Sequence, residues 1–123
     1  MLTKIESKVV RQPDARVRRA LYQSDSAEVL LQHDADTGAF LSFEIDADGP
    51  GGRRWTVTWC RGAGLRTGAV DTGETEPLHY KAAPMVIWDF TMRSDRIEAA
   101  RRLIVASSIE EGLRDSVLRR LDA

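Results

Sequence analysis

Nineteen Asp and Glu side chains, one thiol and two imidazoles are the groups in this chain suited to acid–base, nucleophilic or metal chemistry. Asp-Thr-Gly occurs twice, at 36–38 and 71–73, and two aspartates held close together can share one proton and activate water. Cys60 stands beside Arg61, whose charge favours a thiolate, and His79 is a candidate base. His33 lies close in sequence to Asp34 and Asp36, which carry metal-ligating atoms. Asp46-Ala-Asp-Gly49 has the opening spacing of a calcium loop. Gly62-Ala-Gly64 and Gly68, flanked by Arg61 and Arg66, have the composition of a phosphate cradle.

The surroundings of each motif weaken its chemistry. In aspartic proteases an apolar strand runs into the tripeptide, and small or apolar residues follow it. Here Asp36 follows His33-Asp-Ala, Asp71 precedes Glu74-Thr-Glu-Pro, and Arg102-Leu-Ile-Val-Ala lacks the glycine of the later loop. The plainer account is that Asp opens a turn and Gly supplies the positive φ. A twelve-residue calcium loop needs a closing Glu, whereas Gly51-Gly-Arg-Arg54 follows the aspartates. A phosphate cradle needs a helix opening at the glycines, and the residues after Gly64 have strand character. Cys60 has no nucleophile-elbow or papain-like context, and the two histidines lack the helical spacing of a zinc pair. No catalytic residue, metal site or cofactor is therefore assigned, and no family resemblance reaches the level of a motif.

These residues must be positioned by strands and turns over most of the chain. Turn chemistry recurs at 24–26, 34–38, 46–52, 62–64 and 71–73, separating short β-type segments. Ala27–His33 carries Val29, Leu30 and Leu31. Ala39–Ile45 places Leu41, Phe43 and Ile45 on one face and Phe40, Ser42 and Glu44 on the other. Trp55, Val57 and Trp59 alternate with Thr56, Thr58 and Cys60, the cleanest period of two in the chain. Leu65–Val70 is a weaker candidate, and Leu78–Ala82 and Met85–Phe90 flank Pro84, which suits an edge or a break. Such short connections leave no room for crossover helices, so the strands should pair antiparallel.

From Ser94 the period becomes helical. Ile97, Ala100, Leu103 and Ile104 line one face, and Asp95 with Glu98 has capping-box spacing. Ser107–Glu111 offers a second start, followed by the stripe Ile109, Leu113, Val117, Leu118 and Leu121. This tail is either a helical hairpin or one bent helix. The expected fold is α+β: an antiparallel meander of about five to seven strands over 16–92, packed by two C-terminal helices over 94–123. Residues 1–15 are ambiguous, and at 123 residues the whole forms one domain.

Fifteen of the eighteen basic residues are Arg, but a net charge of −1 disfavours nucleic acid as a partner. No stretch is long and apolar enough for a membrane span. With one cysteine and no signal region, the cytoplasm is the expected location. Charge is segregated: residues 23–52 hold seven carboxylates and no Lys or Arg, while the flanking segments are basic. Asp34, Asp36, Asp46 and Asp48 are thus candidate binding residues, forming an acidic hairpin surface that would steer a basic partner. Trp55, Trp59 and Trp88 either pack beneath the helices or, with Phe43, line a pocket.

The favoured function is a non-catalytic protein-binding domain of the immunity, inhibitor or adaptor type, by association with other small, turn-rich, prokaryote-like domains. The alternatives are a small-ligand or lipid carrier with a Trp-lined pocket, and a small hydrolase. A homodimer is also open to the chain, through an edge strand beside Pro84 or the last helix.

Overall fold

Alternating β-branched, aromatic and polar residues favour extended chain, and seven segments among the described residues take it up. The computed structural model describes residues 3–5, 17–49, 53–71 and 85–122. Its strands are β1 (Thr3–Ile5), β2 (Val17–Gln23), β3 (Ala27–Asp34), β4 (Phe40–Asp48), β5 (Arg54–Cys60), β6 (Gly64–Asp71) and β7 (Met85–Trp88). They form one sheet in sequence order, each antiparallel to the next. Two helices follow, α1 (Ser94–Val105) and α2 (Glu111–Leu121). The expected α+β meander with a helical pair is what forms. The Leu78–Ala82 segment and His79 lie outside the described residues.

One face of the sheet is apolar and carries the helices. Tyr22, Val29, Ile45 and Val57 align across β2 to β5, with Ala20, Leu31 and Phe43 in the next row. Ala100 and Ile104 of α1 and Val117 and Leu121 of α2 close over them. Ile109, assigned from sequence to the second helix, lies just before α2 but is buried in the same core. The tail is two helices, because the chain turns at Ser107, whose Oγ donates to the Ile104 carbonyl at 2.6 Å.

Phe40 departs from the expected alternation. A bulge between Gln32 and His33 pairs Phe40 with His33, and the ring swings to the helix side. It sits 6.3 Å from Phe43 and 5.9 Å from Trp59, centroid to centroid. The Arg120 guanidinium of α2 lies over Phe40 and Trp59, at 4.7 and 4.5 Å from the ring centroids, at this end of the core.

The capping boxes expected at the helix starts do not form; neither N-cap residue makes a side-chain cap. The Asp95 carboxylate instead accepts from Arg93 Nε and Nη2, at 3.1 and 3.2 Å. The Arg93 amide donates to the hydroxyl of Thr67, a buried residue of β6, at 3.0 Å. Thr67 in turn donates to Asp89 Oδ2 at 2.7 Å, and Arg96 Nη1 donates to the same oxygen at 2.7 Å. The start of α1 is thus held by the sheet rather than by a local cap.

Candidate functional site

The sheet face turned away from the helices mixes polar residues with Leu21, Leu30 and Trp88. A meander with every strand in register sets side chains of equal parity side by side across it. Glu28, Asp46, Thr56, Gly68 and Trp88 form one row across β3 to β7, and Glu44, Thr58 and Arg66 form the next. Glu28 and Asp46 are direct cross-strand partners, and Glu44 lies two residues from Asp46 on the same strand. Three carboxylates therefore crowd the middle of this face.

Burial first, and crowding second, raise the proton affinity of two of them. Partial burial pushes the Glu44 carboxyl above its ordinary range, and the charges of Asp46 and Glu28 push it further. Asp46 is raised too. Its burial outweighs the lowering effects of the Thr56 hydroxyl and the Arg54 charge. The two acids lie close enough to influence each other, so they titrate as a pair, and burial is the largest cause of the rise in each. Thr56 is fully buried beside Asp46 and favours its ionised form, yet neither Thr56 Oγ1 nor Asp46 Oδ1 completes a well-formed hydrogen bond. Arg54 Nη1 is bonded to Asp48 at 3.1 Å. No group of three or more His, Cys, Asp or Glu among the described residues converges to hold a metal.

The four aspartates expected to make one acidic surface are divided between opposite ends of β4. Asp34 and Asp36 lie at the β3–β4 turn. There Asp34 Oδ1 accepts the amides of Asp36 and Thr37, at 2.8 and 3.0 Å, and Gly38 takes a φ of 73°. The first Asp-Thr-Gly is thus a self-capped turn. Asp46 and Asp48 lie at the other end, Asp48 in its ion pair and only Asp46 in the carboxylate cluster. Glu28 and Glu44 complete that cluster, although neither stood out in the sequence. Their strand parity was readable, but the β3–β4 register that brings them to Asp46 was not.

The tryptophans are divided as well. Trp55 and Trp59 pack against the core on the helix side, whereas Trp88 lies in the row of Thr56 and Gly68 on the other face. The Arg66 guanidinium sits 4.0 Å above the Trp88 ring. Phe43 and Trp59 are stacked, with centroids 6.4 Å apart. A pocket lined by Phe43, Trp55, Trp59 and Trp88 together does not exist. Trp55 instead borders an open groove of about 490 Å³ with Ala27, Ala47, Ala99, Arg102 and Leu103. The Cys60 thiol is exposed, with Arg61 O at 3.8 Å from Sγ.

No protein-family model, curated protein or solved structure matches this chain. Among the described residues, no helix is long and apolar enough to cross a membrane.

Proposed function

We propose that this is a non-catalytic protein-binding domain, comparable to immunity, inhibitor and adaptor proteins, whose working surface is the sheet face around Glu28, Glu44 and Asp46. The observation that carries the proposal is the carboxyl pair Glu44–Asp46. Both acids are held together on one strand with raised affinities for protons, and no cation of the described residues pairs with Glu44. Crowded like charges destabilise a sheet by about 0.2–1 kcal/mol per directly opposed pair. Perturbed carboxyls of this kind cluster at surfaces that engage a ligand or partner. Arg or Lys side chains of a partner fit such carboxyls. A reducing, cytoplasmic setting suits the exposed free thiol of Cys60.

The test is an amide-resolved NMR titration with an arginine-rich octapeptide, at low salt and at 0.5 M salt. Shifts should concentrate on β3, β4 and β5, and affinity should fall with salt. Replacing Glu28 and Glu44 by Gln and Asp46 by Asn should weaken binding at least tenfold. Equal affinity in that variant, or shifts confined to the helix side, would refute the assignment. A small-ligand carrier is the second reading, favoured by the groove beside Trp55. Native mass spectrometry of the purified protein should then show a bound molecule that Leu103→Trp displaces.

A further inference from the structure

We propose that β7 is a self-association edge, through which two copies of this chain join their sheets in antiparallel register. β7 ends the sheet, and no described strand pairs with its outer side. Its four residues, Met-Val-Ile-Trp, carry no charge. The devices that usually guard a free edge (a lysine, a proline, a bulge) are missing from them.

The side chains at this edge are apolar and uncovered. On the helix side Ile87 is 56% exposed, and beyond the strand Phe90 is fully exposed and Met92 half exposed. Trp88 is more than a third exposed on the other face. Three charged side chains among the described residues near the edge are engaged within the chain: Asp89 with Arg96 and Thr67, Arg93 with Asp95, and Arg66 with the Trp88 ring. A charged partner would therefore gain little here. A second copy, meeting the edge about a two-fold axis, opposes uncharged strand to uncharged strand and sets no like charges against each other.

The area is that of a weak but specific contact. Ile87, Trp88, Phe90 and Met92 bring on the order of 500 Å² from each copy, about 1,000 Å² in total, close to the lower limit for a specific interface. Backbone hydrogen bonds along the edge add register. The acidic face is centred on β3 and β4, away from this edge, so the dimer leaves it open to a basic partner.

Sedimentation equilibrium from micromolar to millimolar protein, with hydrogen exchange at both extremes, tests the proposal. The wild type should pass from monomer to dimer, and amides within Met85–Trp88 should gain protection as it does. Phe90→Ser, at a fully exposed residue, should weaken association at least tenfold, and Ile87→Lys should do the same. A protein that remains monomeric throughout overturns the proposal. So does a dimer that survives both substitutions with the 85–88 amides unprotected.

Discussion

Thr67→Val should loosen the attachment of α1 to the sheet while leaving the packing intact. The side chain is 2% exposed, and valine matches threonine in shape, so no cavity opens. Two hydrogen bonds are lost. One is the charge-assisted bond to Asp89 Oδ2 at 2.7 Å, a kind that contributes about 1.5–3 kcal/mol. The other, from the Arg93 amide at 3.0 Å, leaves a donor at the helix start without its acceptor, at about 1 kcal/mol or more. Arg96 still holds Asp89, whose side chain is 17% exposed, so water recovers part of the loss. A net destabilisation of about 2 kcal/mol follows, and for a domain of this size the melting temperature should fall by roughly 7 °C. Urea unfolding followed by circular dichroism and tryptophan fluorescence measures it. A double-mutant cycle with Asp89→Asn should return a coupling of about 1–2 kcal/mol. A Thr67→Val protein within 0.5 kcal/mol of wild type, or no coupling in the cycle, would show that the hydroxyl does not anchor the helix.

Two further outcomes concern the sheet face around Glu44. Glu44 and Asp46 have folded-state affinities for protons above their ordinary values of 4.5 and 3.8. Their contribution to stability is therefore complete below those values and is lost as the pH rises through the folded-state values. Glu44→Gln should flatten that acidic-side dependence and raise stability near neutral pH by about 0.5–1 kcal/mol, measured by urea midpoints between pH 3 and 7; a variant with the wild-type slope would contradict a raised proton affinity at Glu44. Gly68→Ala should destabilise by about 1–3 kcal/mol, since its Cβ would come within 3.0 Å of the Ile87 carbonyl and 3.1 Å of the Trp88 ring. Thermal melts should show the loss, and an unchanged midpoint would mean that β7 packs less closely on β6.

The binding and edge assignments stand differently towards the sequence. Period-two runs such as Trp55–Cys60 and the helical stripes of the tail are local signals. They require only neighbouring residues and the pleat or the helical turn, so strands, helices and meander were legible from the residues alone. The β3–β4 turn was legible for the same reason, because Asp34 and Gly38 act on their own backbone. What lies across the sheet was not. Whether Asp46 meets Glu28, whether Trp88 shares a face with Trp55, and whether Phe40 turns inward depend on register and on one bulge, and a shift of a single residue reverses every face. The same holds for Thr67, which resembles any strand threonine until the chain returns 26 residues later to place the Arg93 amide against it. Desolvation of Glu44 and exposure of Phe90 belong to this second group, because burial is a property of the assembled fold and of no short segment within it.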